Sequence, residues 1–131
     1  MSLALYQHPL ASFCHKVLIA LYENEVVFEP VIVDLMDPAS AAGLLERWPV
    51  GKIPVLHDRS RGRVVPETSI IIEYLQQHYP GPVPLLPEKE EPRLEARLWG
   101  RFFDLYVAAP MQKIVVDRLR PEGARDGAGV A

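Results

Sequence analysis

Apolar positions in this chain follow two periods, and the alternation between them predicts most of its elements. Leu3–Tyr6 is a short apolar run that reads as a first strand, and Phe13–Asn24 carries Val17, Leu18, Leu21 and Tyr22 at helical spacing behind Ser12 as an N-cap. Val26–Val33 is rich in β-branched residues and predicts a second strand, in which Pro30 requires an edge position or a bulge. Asp37-Pro38 opens a short helix with Leu44, Leu45 and Trp48, closed by Pro49. Pro54–His57 gives a third strand, and the polar hairpin Asp58–Gly62 leads into a short fourth strand at Arg63–Val65. A third helix runs from about Glu67 to His78. The resulting order, βαβ-α-ββα, is an α/β arrangement filling residues 1–80.

Beyond it, Pro80-Gly81-Pro82-Val83-Pro84 is stiff and cannot continue a helix, so residues 81–91 read as a linker. A long helical pattern then opens at Pro92, with Leu94, Leu98, Phe102, Leu105 and Tyr106 along one stripe and Arg93, Arg97 and Arg101 along another. Pro110 is expected to kink it, with the helix resuming towards residue 120. Residues 121–131 are rich in glycine and alanine and are expected to fray.

Composition narrows the classes of function. The chain has 131 residues, 49% of them apolar, which suits a globular protein with a sizeable core. A net charge of −3 argues against nucleic acid as a partner. One cysteine excludes an internal disulfide and a dithiol redox cycle, and His8, His15, His57 and His78 lack ligand spacing, so no metal site is expected. The opening residues lack the pattern of a signal peptide, and no apolar run approaches the ~20 residues that span a bilayer. A cytoplasmic, non-membrane protein is the expectation.

Two stretches carry candidate chemistry. Gly51-Lys52-Ile53-Pro54-Val55-Leu56 is a turn feeding a strand, and its Pro54 is either a strand-start proline or a cis-proline that turns the Ile53 backbone outward. Pro66-Glu67-Thr68-Ser69 sets a carboxylate and two hydroxyls at the start of the third helix, with Thr68 or Ser69 as its cap. Together they offer a backbone edge, a carboxylate for an amine, and a helix N-terminus for a carboxylate. That combination suits a peptide ligand.

In register with Pro-Glu-Thr-Ser-Ile-Ile-Ile-Glu-Tyr-Leu and an opening Leu-Tyr-x-x-Pro-x-x-Ser-x-Cys-x-Lys-Val, these stretches resemble the N-terminal half of a soluble glutathione S-transferase of the bacterial kind. The resemblance covers Leu3 to Tyr79 and runs on into the first helix of that family's second domain. It implies a thioredoxin-like fold followed by a truncated all-α domain, with glutathione as co-substrate. Glu67 would hold the γ-glutamyl amine, Thr68 its carboxylate through N–H and hydroxyl, the Ile53 backbone before Pro54 the cysteinyl segment, and Lys52 the glycyl carboxylate. The implied activity is attack of the bound thiolate on a small electrophile or a peroxide, in a detoxifying homodimer to which Arg97 and Arg101 contribute. A glutathione-binding or dimerising module without turnover is the alternative.

Turnover needs the thiolate. A thiol of pKa about 8.5 is only ~3% ionised at pH 7, and lowering it by ~2 units takes ~2.7 kcal/mol. One hydrogen bond to the charged sulfur supplies ~1.5–3 kcal/mol and a helix N-terminus ~0.3–1. A single hydroxyl therefore suffices. Serine-type relatives carry theirs at the position matching Ala11, so Ser12 is the catalytic candidate here, against its role as helix cap. Cys14 reads as a buried, inert thiol and Tyr6 as core.

Overall fold

The first strand decides the architecture. β1 (Leu3–Gln7) is buried at all five positions, so both of its faces must be covered. A computed structural model describes all 131 residues, in two compact units, Met1–Pro87 and Glu88–Ala131.

In the first unit β1 is one of the two central strands of a four-stranded sheet ordered β2-β1-β3-β4. β2 (Glu29–Ile32) runs parallel to it, β3 (Val55–Asp58) runs antiparallel to it, and β4 (Arg63–Pro66) runs antiparallel to β3. α1 (Ser12–Glu23) and α3 (Thr68–His78) pack against one face. There Leu3 and Leu5 meet Val17, Leu21, Leu56, Ile71 and Leu75. On the other face Ala4, Tyr6, Val33 and Val55 meet Leu44 of α2 (Pro38–Arg47). This is the thioredoxin-like fold expected from the sequence, and Tyr6 lies in its core at 7% exposure.

Boundaries differ where local chemistry overrides the apolar pattern. β2 begins at Glu29 rather than Val26, because the Val26 N–H closes the end of α1 on the Leu21 carbonyl. Pro30 is tolerated because β2 is an edge strand. α1 starts one residue early, so Ser12 is its first helical residue and Ala11, not Ser12, is the N-cap. Asp37 caps α2 by accepting a hydrogen bond from the Ala39 N–H at 3.0 Å.

The proline-rich stretch after α3 is tied back to the first unit. Asn24, 6% exposed at the end of α1, accepts a hydrogen bond from the Val83 N–H at 2.8 Å. A Cβ at Gly81 would sit 2.5 Å from the Asn24 Cβ. Gly81→Ala must therefore displace a buried, bonded side chain, and is expected to cost about 1–3 kcal/mol in urea unfolding. An unchanged midpoint would show that Asn24 yields freely.

The first helix of the second unit begins two residues before the expected Pro92. α4 (Glu90–Phe102) places Glu90 and Glu91 in its first turn, where carboxylates favour the helix dipole. A π-helical segment, Phe103–Ala108, then precedes α5 (Ala109–Leu119), with Pro110 in the first turn of α5. The wider π turn sits just before Pro110, which lacks an N–H. Trp99, Phe102, Phe103 and Tyr106 form a chain of ring contacts with centroids 5.3–5.6 Å apart from Trp99 to Phe102, Phe102 to Phe103 and Phe102 to Tyr106. Residues 121–131 carry a 3-10 turn, Glu122–Ala124, and the Asp126 N–H donates to Asp117 at 2.7 Å.

Candidate functional site

Strand register gathers the candidate residues at one end of the sheet. Tyr6 pairs with Val55, and Val55 with Pro66. The end of β1, the start of β3 and the end of β4 therefore lie side by side, and the loops leaving them share that edge. These are His8–Ala11 before α1, Gly51–Pro54 before β3, and Glu67 before α3. The Val33 N–H bonds to the Gln7 carbonyl at 2.8 Å, bringing the exit of β2 to the same edge.

The loop before β3 is shaped by Gly51, whose φ of +70° is in the region where only glycine is unstrained. Lys52 follows, exposed and without an ion pair. Ile53 is half-buried against the second apolar cluster, and the Ile53–Pro54 peptide bond is cis, one of the two alternatives the sequence left open. Ile53 itself lies outside the sheet pairing, which starts at Val55.

Glu67 stands apart from its neighbours. It is an exposed non-glycine residue with φ +71° and ψ +121°, and it serves as the N-cap of α3 without a side-chain capping bond. Neither Thr68 nor Ser69 is the cap, which corrects the sequence reading. A residue held there costs roughly 1–3 kcal/mol, a strain that clusters at ligand sites. The Glu67 carboxylate makes no capping bond to its own helix, so the N-cap leaves the first-turn N–H groups of α3 without its side chain as an acceptor.

Thr68 is 6% exposed, and its hydroxyl donates to the Phe13 carbonyl at 3.3 Å. That bond brings the first turns of α1 and α3 together. In α1 the Ala11 N–H bonds to the His8 carbonyl, and the Cys14 and His15 N–H groups bond to Ala11. Ser12 is partly exposed in this turn. Cys14 is fully buried, and burial pushes its thiol pKa up against a smaller opposing contact with the His8 backbone. A buried, protonated thiol is a poor nucleophile. Nowhere do three or more His, Cys, Asp or Glu side chains gather as a metal would require.

Two features escaped sequence reading. Gln7, placed beyond the strand, is its last residue, 7% exposed, with a side-chain oxygen that has no hydrogen-bond partner. The positive φ of Glu67 has no sequence signal, since glutamate carries no preference for that region.

Comparison with known proteins defines the class. Residues 5–83 match the family model described as "Glutathione S-transferase, N-terminal domain". The chain belongs to the glutathione S-transferase family. It is 40% identical over 97 residues to "Glutathione S-transferase U25" of Arabidopsis thaliana, covering 73% of this chain and 42% of that protein. It is 37% identical over 86 residues to "Stringent starvation protein A homolog" of Pasteurella multocida, covering 66% of this chain and 38% of that protein. The crystal structure of a glutathione S-transferase from Methylobacillus flagellatus, with glutathione bound, superposes with a TM-score of 0.85 at 28% identity, over 98% of this chain and 61% of that one. The chain thus spans less than half of those two curated relatives. No helix is long and apolar enough to cross a membrane.

Proposed function

We propose that the chain binds glutathione at this sheet edge and activates its thiol for attack on a small electrophile or a peroxide. The observation that carries the reading is the start of α3. There an exposed carboxylate and a helix N-terminus without a side-chain cap lie at the same edge as the Ile53 backbone. Family membership and the glutathione-bound structural relative support the same ligand.

Each ligand group has a counterpart. Glu67 takes the γ-glutamyl amine, and backbone N–H groups in the first turn of α3 take the adjacent carboxylate. The Ile53 backbone pairs with the cysteinyl segment as an added strand, and Lys52 faces the glycyl carboxylate. The thiol then falls towards the first turn of α1, where Ser12 donates a hydrogen bond to the thiolate. The protein is cytoplasmic in this reading, and a second copy of the chain is its expected partner.

Titration of the isotope-labelled chain with glutathione tests the site. The amides of Ile53, Thr68 and Ile70 should shift, while those of the Asp58–Gly62 hairpin at the opposite end of the sheet should not. Shifts confined to other regions would overturn the assignment. Ser12→Ala should raise the bound thiol's pKa by about 1–2 units, the worth of one hydrogen bond to a charged group. An unchanged pKa would reduce Ser12 to a helix-start residue.

A specific observation favours a second reading, a binding module without turnover. The N-cap of α1, matching the catalytic position of serine-type relatives, is Ala11 and offers no hydroxyl. Binding without any rate of conjugation or peroxide reduction would select this reading.

A further inference from the structure

We propose that the side-chain amide of Gln7 contacts the sulfur of the bound tripeptide, accepting from its thiol and donating to its thiolate. The proposal rests on the glutathione reading above and adds a second group to the one that reading assigns to Ser12.

Residues two apart in a strand share a face. Leu3 and Leu5 lie on the face covered by α1 and α3, so Gln7, the last residue of β1, belongs to that face too. Its backbone is fixed by pairing with Ile32 and by the Val33 N–H, which donates to its carbonyl at 2.8 Å. The chain leaves β1 at Gln7 and enters α1 at Ser12 through the short loop His8–Ala11. The amide thus stands on the side of the sheet where the Thr68–Phe13 bond joins the first turns of α1 and α3.

Gln7 is 7% exposed, and its Oε1 is buried without a hydrogen-bond partner. Folded chains leave few such atoms, and an apolar residue here would simply continue the face of Leu3 and Leu5. A buried acceptor at a ligand edge calls for a donor on the ligand. The tripeptide brings an amine, two peptide N–H groups and a thiol. The amine goes to Glu67 and the peptide groups to the Ile53 side, which leaves the thiol for the exit of β1. An amide suits both states of that thiol. Oε1 accepts from S–H, and a half-turn about the last side-chain torsion presents the N–H groups to the thiolate. The bond to the charged sulfur is the stronger, so Gln7 favours ionisation, with the proton passing to solvent. Ala11 offers no hydroxyl at this turn, so Gln7 supplements Ser12.

Gln7→Met keeps the length of the side chain and removes the amide. Calorimetric titration with glutathione and with S-methylglutathione, a thioether that forms no thiolate, reads what the amide does. The variant's affinity for glutathione should fall by about three- to tenfold at neutral pH, with the bound thiol's pKa raised by about 0.5–1 unit. Its affinity for S-methylglutathione should stay within about twofold of wild type. The ligand-free variant should unfold at equal or higher urea, because the unpaired buried oxygen is gone. Unchanged glutathione affinity and thiol pKa would overturn the proposal. So would equal losses for the two ligands, the mark of a purely structural role. A wild-type chain that binds neither ligand would instead overturn the glutathione reading, and this proposal with it.

Discussion

Asp58→Asn should be among the most damaging single substitutions in the first unit, lowering its stability by about 1.5–3 kcal/mol. The carboxylate is fully buried at the end of β3, yet every lone pair is used. One oxygen accepts the Ser60 hydroxyl at 2.7 Å and the Ser60 and Arg61 N–H groups at 3.1 and 3.2 Å. The other accepts the hydroxyls of Tyr74 at 2.8 Å and Tyr79 at 2.7 Å. This one side chain fastens the β3–β4 hairpin to the far end of α3. Asparagine would keep the shape but remove the charge and replace one of the two acceptor oxygens with an N–H2 group, so the donors on one side of the network lose their acceptor.

The network also sets the pH dependence. Burial alone would raise the Asp58 pKa, but hydrogen bonds from Ser60, Tyr79, Tyr74 and Arg61 overcome it and hold the carboxyl well below the ordinary carboxylate range. A pKa lowered on folding gives stability that is complete above the unfolded value of about 3.9 and lost as pH falls below it. Tyr74 works in the opposite sense: burial first, then the bond to Asp58, pushes it up to about 12. Its contribution is complete below the unfolded value of about 10 and lost as pH climbs towards the folded one. Urea unfolding of wild type should show both flanks, and Asp58→Asn should lose the acid flank. An acid flank retained in the variant would assign it to other carboxylates.

Glu67→Gly should separate stability from binding. Glycine relieves the φ of +71° at no steric cost, a gain of roughly 1–3 kcal/mol set against about 0.5–1 kcal/mol of extra chain entropy in the unfolded state. The variant should therefore unfold at equal or higher urea than wild type. It removes the carboxylate that meets the ligand's amine, worth ~1.5–3 kcal/mol as a charge-assisted bond, or about 10- to 150-fold in affinity. A variant that is both less stable and unimpaired in binding would show that Glu67 is a structural cap.

Sequence reading reached the fold because its signals were local. A short apolar run marked β1, a turn and proline led into β3, Pro30 demanded an edge or a bulge, and the proline-rich stretch ended the first unit's helices. The family motifs brought Ile53, Pro54, Glu67 and Thr68 into one frame. What stayed out of reach depends on distant partners. Asp58 lies in a polar hairpin that reads as solvent-exposed, and only Tyr74 and Tyr79, 16 and 21 residues on, enclose it. Thr68 reads as a helix cap until the fold sets the Phe13 carbonyl against it. Ser12 reads as a cap until the helix starts one residue earlier than its apolar pattern.

The most direct test of the central claim is calorimetric titration of the purified chain with glutathione, run in parallel on Glu67→Ala. The account predicts saturable one-site binding by the wild type and a loss of about tenfold or more in the variant. No binding by the folded wild-type chain, or equal binding by both proteins, would contradict it.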